Sequence, residues 1–300
     1  MVKSILFIAN PKSRDISEDE TEAIISRFAD EYNFTWDIYY TRQIDYASQI
    51  RQKLQEYLPG IVIVVGGDGT INQVATEILL LELRETELGI IPAGSANGLA
   101  YNLGIPSDFA LALEIILTNE PKPLDVIKLN EDNYCYHLSD VGINARIVKR
   151  FEKEGSRGLM GYGKQMIKEL FSKRTVFSFN LTTKELEKKY RAEMLVIANA
   201  RYFGTGAVIN PIGRPDDGRF EIIIIRPYPW WILFYLIRMM FFSRLDALKY
   251  IRVITTSAAE IVFDSPQDLQ ADGEIISEVK KLKISILPSA IKVRYGEQIS

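Results

Sequence analysis

The strongest constraint on the fold is an apolar run that leads directly into a glycine-rich loop. Ile61-Val62-Ile63-Val64-Val65 is entirely β-branched, which is typical of a strand buried on both faces of a parallel sheet. Gly66-Gly67-Asp68-Gly69-Thr70 follows, and its glycines let the backbone turn sharply and approach a ligand closely. We expect a helix to begin at Thr70, and its N-terminus would favour an anion. The apolar positions of that helix are Ile71, Val74, Ile78 and Leu81.

The carboxylate of Asp68 limits which anion this loop can bind. It would repel a bare phosphate, so it is explained if Mg²⁺ bridges it to the phosphates or if it takes a proton from an attacking hydroxyl. The loop lacks the Lys-Ser/Thr ending of a P-loop, which excludes that class of ATPase. The structural alternative is an ordinary tight turn between a strand and a helix.

The loop Gly66–Thr70 resembles the nucleotide-loop signature of the diacylglycerol kinase catalytic-domain family. That family includes bacterial lipid kinases, sphingosine kinases and ceramide kinases, and it implies ATP and Mg²⁺ as cofactors. NAD kinases and phosphofructokinases carry close relatives of the loop, so the loop alone implies only phosphoryl transfer from a nucleotide. The resemblance implies an α/β N-terminal domain with an open, mostly parallel sheet, similar to those two enzymes.

Two further turns resemble the nucleotide-binding parts of the family. Residues 3–9 predict a first strand that ends in Asn10-Pro11-Lys12-Ser13-Arg14, at the edge where open α/β sheets bind ligands. The family has glycine where this chain has Arg14, and Lys12 or Arg14 could instead bring positive charge to the phosphates. A solvated basic turn is the alternative. Thr41 follows a second predicted strand, where the family has a threonine near the nucleotide.

A second glycine-rich loop favours the lipid kinases over the NAD kinases and phosphofructokinases. The strand-like run Leu88–Ile91 precedes Pro92-Ala93-Gly94-Ser95-Ala96-Asn97-Gly98, which resembles the family's second signature and implies nucleotide contacts from Gly94, Ser95 and Asn97. Two such loops on neighbouring strands would form a two-sided cradle. Many diacylglycerol-type members carry Asp where this chain has Gly98, which favours another lipid as the acceptor.

The alternation of strands and helices stops near Pro121-Lys122-Pro123. The short β-rich runs beyond it predict an all-β-rich antiparallel sandwich. We therefore expect a nucleotide-binding domain at 1–123, completed by about 288–300, and a lipid-acceptor domain at 124–287. The two lobes would enclose a cleft.

The family resemblance also implies a structural Mg²⁺ in the second domain. Val196–Gly206 and Pro211–Gly218 resemble its third block, and the ion would be held by Asp217 with the main-chain carbonyls of Arg214 and Arg219. The alternative is that Asp216-Asp217-Gly218 is only a hairpin turn.

The last block of the resemblance is Asp272-Gly273-Glu274. By itself Asp-Gly between two strand-like runs predicts a type I′ turn, but the family carries this triplet in its active-site cleft. Asp272 and Glu274 would share a face of an extended chain, and with Asp68 they would gather three carboxylates around one phosphoryl group and Mg²⁺. Asp68 or Asp272 would accept the hydroxyl proton, and Glu274 would orient the metal or water.

Composition bounds the environment and the partners. The 300 residues are 47% apolar and carry a net charge of −3, so no broad basic field recruits nucleic acid. We expect no signal-peptide leader, and the longest apolar run, Trp230–Ile237, is far below the ~18–20 residues of a spanning helix. We expect a cytoplasmic protein. Its one cysteine, Cys135, and its one histidine, His137, are expected to be structural.

Two segments suggest how a lipid substrate is reached. Residues 226–252 are rich in aromatic and basic residues, and Arg146–Arg174 holds nine Arg/Lys against three Glu. We expect these segments to dock peripherally on an anionic membrane during turnover. The alternative is that 230–242 is a buried helix. The sequence leaves open whether the protein forms a homodimer. The rival functions are a kinase of a soluble acceptor such as NAD, and a nucleotide- or lipid-binding protein without catalysis.

Overall fold

The computed structural model of the chain describes residues 3–11, 17–42, 46–142, 175–203, 207–229, 232 and 249–296. The chain divides into two compact units, one of Met1–Leu124 with Ser289–Ser300 and the other of Asp125–Pro288. The boundary falls inside a strand, Pro121–Leu129. Pro121-Lys122-Pro123, where the sequence predicts the change of domain, is therefore part of a strand.

The first unit alternates strands and helices along the chain. Its elements are β1 (Lys3–Ala9), α1 (Glu18–Tyr32), β2 (Phe34–Tyr40), α2 (Tyr46–Tyr57), β3 (Ile61–Gly66), α3 (Asp68–Leu80), β4 (Glu87–Pro92), α4 (Gly98–Asn102), α5 (Phe109–Thr118), the start of β5 (Pro121–Leu129) and the end of β16 (Glu274–Arg294).

The strands of the first unit form a parallel sheet in the order β2-β1-β3-β4-β16. All six residues of β3 are buried, because helices cover both faces of such a sheet. The predicted open, mostly parallel α/β domain is confirmed.

Two helices of the first unit differ from the sequence prediction. Helix α3 begins at Asp68, two residues before the predicted start at Thr70, so Gly67 alone separates the helix from β3. Helix α5 was not predicted, although Asp108 is a recognisable N-cap whose Oδ1 accepts a hydrogen bond from the Leu111 N–H at 2.9 Å.

The second unit is built almost entirely of strands. Its further elements are β6 (Asn133–Cys135), β7 (Leu138–Gly142), β8 (Phe177–Thr183), β9 (Glu187–Ala192), β10 (Met194–Ala198), β11 (Tyr202–Phe203), β12 (Ala207–Val208), β13 (Phe220–Ile225), β14 (Ile251–Thr256) and β15 (Ala258–Ala271).

The strands of the second unit pair antiparallel around an apolar core. Strands β14, β13, β10, β7 and β15 are consecutive neighbours, and β15 also pairs with β8 near its start. A register shift between Val262 and Gln267 separates these two parts of β15, as a bulge does when a strand bends between layers. Phe179, Phe220 and Phe263 lie in the core. The predicted antiparallel sandwich is confirmed.

Several sequence predictions lie outside the described residues. They concern Lys12, Ser13 and Arg14 in the first turn, Gly204–Gly206 in the third block, the basic segment Arg146–Arg174, and most of 230–248. In the described part of the chain, no helix combines the length and the apolar character that crossing a bilayer requires.

Candidate active site

The two glycine-rich loops lie side by side because the strands that precede them are paired. Strands β3 and β4 run parallel, with Val65 opposite Ile91 and Gly66 opposite Pro92. The Ala93 N–H donates to the Gly66 carbonyl at 2.9 Å. Both loops therefore leave the carboxyl edge of the sheet together, which is the edge where open α/β sheets bind ligands.

The two loops touch through glycine backbone. A Cβ placed on Gly94 would lie 2.4 Å from the Cα of Gly67, and a Cβ placed on Gly67 would lie 3.0 Å from the Cα of Gly94. Gly67 has φ −90° and ψ −178°, an extended conformation that any residue adopts. These positions therefore need glycine for close approach rather than for an unusual dihedral angle. The two glycine-rich loops therefore lie against each other at this edge of the sheet, as the two-sided arrangement predicted from the sequence requires.

Asn97 shapes the second loop from within. Its Oδ1 accepts from the Gly94 N–H at 2.7 Å, and its Nδ2 donates to the Gly94 carbonyl at 2.9 Å. Asn97 has φ 51°, in the left-handed region that asparagine tolerates better than most residues. Ser95 is exposed at the tip. The structure thus gives Asn97 a role in loop conformation, while its nucleotide contact stays a prediction.

Asp68 joins the two loops through its carboxylate. Oδ2 accepts from the Gly98 N–H at 3.0 Å and Oδ1 accepts from the Leu99 N–H at 3.2 Å. These are the first amides of α4, whose N-terminus favours a negative charge. The sequence did not predict this contact, because it joins residues about thirty positions apart. Asp68 is therefore held in a fixed orientation by the second loop.

Asn10 and Thr41 lie at the same edge of the sheet. The Asn10 N–H donates to the Val65 carbonyl at 2.9 Å, and the Thr41 N–H donates to the Ala9 carbonyl at 2.9 Å. The structure thus brings both residues to the edge that carries the glycine-rich loops. Thr70 is buried against the cradle, and a Cβ placed on Gly66 would lie 2.8 Å from the Cβ of Thr70.

Asp272 occupies a tight turn in the second unit. Asp272 and Gly273 have φ 49° and 89°, and they link β15 to β16, with Ala271 opposite Glu274. Positive φ at both central residues defines the predicted type I′ turn, which is confirmed. The prediction that Asp272 and Glu274 share a face is wrong. The rule that side chains alternate between two faces, the alternation rule, holds only where the backbone is extended at both residues. Asp272 is buried and Glu274 is exposed.

The Asp272 carboxylate binds the main chain that leads into β7. Oδ2 accepts from the Tyr136 N–H at 2.9 Å, and Oδ1 accepts from the N–H groups of His137 and Leu138 at 2.9 and 3.2 Å. The Cys135 thiol donates to Oδ1 at 3.3 Å. Burial raises the pKa of Cys135 well above its ordinary value, and the charge of Asp272 adds to this effect. The thiol therefore stays protonated and serves as a donor.

Gln270 fixes the same turn from the other side. Its Oε1 accepts from the Gly273 N–H at 2.8 Å, and its Nε2 donates to Asp140 Oδ2. Both Gln270 and Asp140 are buried. The side-chain amide of Gln270 therefore links the turn to β7. Sequence reasoning missed both residues, although Gln270 lies two positions before Asp272.

The expected three-carboxylate cluster stays a prediction. Asp68 belongs to the first unit, whereas Asp272 and Glu274 belong to the second. Across the described ranges, no three His, Cys, Asp or Glu side chains form a group that could hold a metal ion.

The predicted structural Mg²⁺ site lies on a turn that a buried carboxylate holds in place. Asp125 Oδ2 accepts from the Gly218 N–H at 2.6 Å, and the Asp125 N–H donates to the Pro215 carbonyl at 2.8 Å. The turn does not connect two paired strands, because β12 pairs with β11 and β13 pairs with β10 and β14. The simple-hairpin alternative is therefore wrong.

The donors of this turn fit Mg²⁺ chemically. Asp217 is exposed, and its Oδ1 accepts from the Arg219 N–H at 3.0 Å. One carboxylate with the carbonyls of Arg214 and Arg219 would give the all-oxygen set that Mg²⁺ prefers. Burial raises the pKa of the neighbouring Glu221, and the charge of Asp217 contributes to that shift. The metal itself stays a prediction.

Two family models match the chain, one in its N-terminal part and one in its C-terminal part. The family model described as "Diacylglycerol kinase catalytic domain" matches residues 4–129. The model described as "YegS C-terminal NAD kinase beta sandwich-like domain" matches residues 139–295. The second model covers more than half of the chain, so the chain belongs to the family with the YegS C-terminal NAD kinase beta sandwich-like domain, and its N-terminal part is similar to the diacylglycerol kinase catalytic domain.

Individual relatives agree with this assignment. The chain is 27% identical over 238 residues to "Probable lipid kinase YegS-like" of Yersinia enterocolitica, which covers 78% of each chain. It is 32% identical over 176 residues to a protein of the same description from Chromohalobacter salexigens, covering 56% of this chain and 54% of the other. A crystal structure of a diacylglycerol kinase from Bacillus anthracis superposes with a TM-score of 0.80 at 21% identity and 99% coverage of both chains. At that identity the likeness shows the fold alone.

Proposed function

We propose that the protein is an ATP-dependent lipid kinase that transfers the γ-phosphoryl group to the hydroxyl of a lipid. Its family is one of lipid and diacylglycerol kinases, which supports phosphoryl transfer in general. The acceptor, the donor and the roles of individual residues are the parts that we propose.

The observation that carries the proposal is the interlocked pair of glycine-rich loops. Gly67 and Gly94 approach so closely that neither position can carry a side chain without displacing the other loop. A surface of bare backbone offers N–H groups to phosphate oxygens without steric hindrance. An ordinary strand-to-helix turn would need no second glycine from a neighbouring loop. The cradle therefore favours a bound nucleotide over a purely structural turn.

Asp68 is the carboxylate that we assign to the transferred group. Mg²⁺, when bound, would offset the repulsion between this carboxylate and the triphosphate. The amides of Gly98 and Leu99 hold both carboxylate oxygens, so Asp68 needs little reorganisation during the reaction. Preorganised charge of this kind usually supplies more of the rate than general-base help, which is typically worth about 10²–10⁴-fold.

Asp272 and Glu274 keep the acceptor-side roles that the family resemblance implies. Either Asp68 or Asp272 would accept the hydroxyl proton, and Glu274 would orient the metal or a water molecule. The environments of the two aspartates differ in one respect that matters for testing. Asp272 holds three main-chain amides, so its substitution perturbs the fold more than substitution of Asp68 does.

The direct test is phosphorylation of a lipid panel with radiolabelled ATP. The panel contains diacylglycerol, monoacylglycerol, a sphingoid base, ceramide and phosphatidylglycerol, with NAD and a sugar phosphate as soluble acceptors. We expect label in one lipid and in neither soluble acceptor. Label in NAD or the sugar phosphate would replace the proposal by a soluble-acceptor kinase, and ATP binding without any labelled acceptor would favour a non-catalytic protein.

A further inference from the structure

A strongly basic pocket lies within the second unit, and no part of the proposed reaction uses it. The pocket encloses about 560 Å³ between β9, the residues that follow β13, and the residues that precede β14. Five of its eight lining residues are Lys or Arg and none is acidic. This local excess of positive charge contrasts with a chain whose net charge is −3. The basic lining residues are Lys188, Lys189, Arg191, Arg226 and Lys249.

In the described part of the chain, most of these cations have no acidic side chain as an ion-pair partner. Lys189 pairs with Asp264 at 2.9 Å, but within the described residues the other four form no ion pair. Lys188 and Lys249 instead lie over the rings of Tyr190 and Tyr250, at 5.8 and 5.0 Å from the ring centroids. Like charges that converge in this way repel one another unless an anion offsets them.

The type and placement of these residues fit a phosphate group. Arginine presents a planar fork that matches phosphate oxygens, and lysine adds flexible point charges. Arg191 lies on β9, whereas Arg226 and Lys249 come from two other segments that are joined by a hydrogen bond from the Arg226 N–H to the Tyr250 carbonyl at 2.8 Å. A set of cations gathered from three segments is less typical of a solvated face than a run along one strand.

Two features favour a phosphate on a membrane surface over a soluble one. Lys188, Arg191 and Lys249 are exposed, so the pocket opens outward and can meet a flat surface. The sequence between Pro229 and Lys249, which joins two of the lining segments, contains Trp230, Trp231, Phe241 and Phe242. Aromatic residues close in sequence to basic residues are typical of peripheral membrane anchors.

We propose that this basic pocket binds the phosphate of anionic phospholipid headgroups and thereby docks the protein on the membrane. The anionic surface attracts each lysine and arginine near it, and the pocket adds a defined place for one headgroup. The proposal goes beyond the kinase assignment, because docking needs neither ATP nor turnover.

The test is vesicle flotation of the full chain without ATP, with phosphatidylcholine vesicles that contain or lack phosphatidylglycerol. The pocket variant combines Arg191→Gln, Arg226→Gln and Lys249→Gln. The control variant combines three exposed lysines of the same unit that do not line the pocket, and so removes the same charge. The control substitutions are Lys184→Gln, Lys280→Gln and Lys283→Gln.

We expect the wild-type chain to float only with anionic vesicles. The pocket variant should partition on the order of 10–100-fold more weakly, from the usual contribution of each basic residue at an anionic surface. The control variant should lose about 2-fold or less, because exposed charges away from the contact are screened. Circular dichroism checks the fold of both variants. Should the pocket variant not fold, Arg191→Gln and Lys249→Gln alone should each weaken partition about 5-fold.

Three results would overturn the proposal. Equal losses in the pocket and control variants would mean general charge attraction. Equal flotation with both vesicle types would mean that the headgroup charge plays no part. Binding of glycerol phosphate or inorganic phosphate that the pocket variant loses, without any flotation of the wild-type chain, would assign the pocket to a soluble anion. Kinase activity on detergent-dispersed lipid tests the proposed function separately.

Discussion

The contact between the two glycine-rich loops can be tested with one methyl group. In Gly94→Ala the new Cβ would lie 2.4 Å from the Cα of Gly67, 2.9 Å from Oδ1 of Asn97 and 3.3 Å from the Gly67 nitrogen. Real Cβ atoms do not approach other heavy atoms to 2.4 Å, and the nearest atom belongs to the backbone. The clash therefore cannot be relieved by rotating a side chain, and one loop must move.

The expected cost has a stability part and a functional part. Overpacking of this kind usually lowers the free energy of unfolding by about 1–3 kcal/mol. A shift of about 1 Å in a reactive arrangement costs on the order of 100-fold in rate. We therefore expect kcat/KM for ATP to fall about 100-fold at a modest loss of stability. Urea unfolding measures the stability part, and radiolabelled phosphoryl transfer with the accepted lipid measures the functional part.

Two matched substitutions provide the controls. In Gly67→Ala the new Cβ would lie 3.0 Å from the Cα of Gly94. Stability and kcat/KM should therefore both fall, but less than in Gly94→Ala. Gly60→Ala places its Cβ 3.7 Å from the Ser4 carbonyl, an ordinary contact, and should change the free energy of unfolding by less than about 0.5 kcal/mol. If Gly94→Ala behaved like Gly60→Ala in both measurements, the proposed binding of the nucleotide by these two loops would be refuted.

Four further substitutions test the carboxylates. Asp68→Asn should abolish phosphoryl transfer while lowering the free energy of unfolding by only about 1 kcal/mol, because asparagine still accepts one amide of α4; near-normal activity would contradict the assigned role. Asp272→Ala should lower the free energy of unfolding in a urea titration by at least about 3 kcal/mol, because three amides lose their acceptor. Glu274 is exposed, so Glu274→Gln should leave the free energy of unfolding unchanged in the same titration and lower the phosphoryl-transfer activity. Burial raises the folded-state pKa of Glu221, so the stability that its protonation contributes is present below its unfolded pKa and is lost as the pH rises through its folded pKa. Glu221→Gln should therefore gain stability relative to wild type as the pH rises from acid to neutral, and a difference that did not change with pH would refute this.

Local sequence patterns predicted several elements of the first unit, including the strand that leads into the first glycine-rich loop. The β-branched run at 61–65 is the fully buried β3. The spacing of Ser17 and Glu20 predicts a capping box, and Ser17 caps α1 by accepting from the Glu20 N–H at 3.2 Å. Gly104 ends α4 with φ 68°, and the Ile105 N–H donates to the Ala100 carbonyl at 2.9 Å, as in a Schellman motif. These features were predictable because each depends on residues that are close along the chain.

The contacts that orient the proposed catalytic groups could not be predicted in this way. Asp68 caps a helix that begins thirty residues later, and Asp272 binds the amide of Tyr136 from 136 residues away. The alternation rule failed at Asp272 because it assumes an extended backbone, whereas the Asp-Gly pair turns the chain. The turn signal and the alternation rule competed at the same residues, and the turn signal prevailed.

Asp68 and Asp272 share an arrangement that affects how any activity loss must be interpreted. Each carboxylate accepts amides from a segment that is distant in sequence, so each holds a loop in place as well as presenting a charge. The two roles separate in the asparagine variants, which keep the shape and one acceptor oxygen but remove the charge. If Asp68 serves phosphoryl transfer, Asp68→Asn must lose activity per folded molecule, whereas a purely structural Asp68 would lose activity only in proportion to the unfolded fraction.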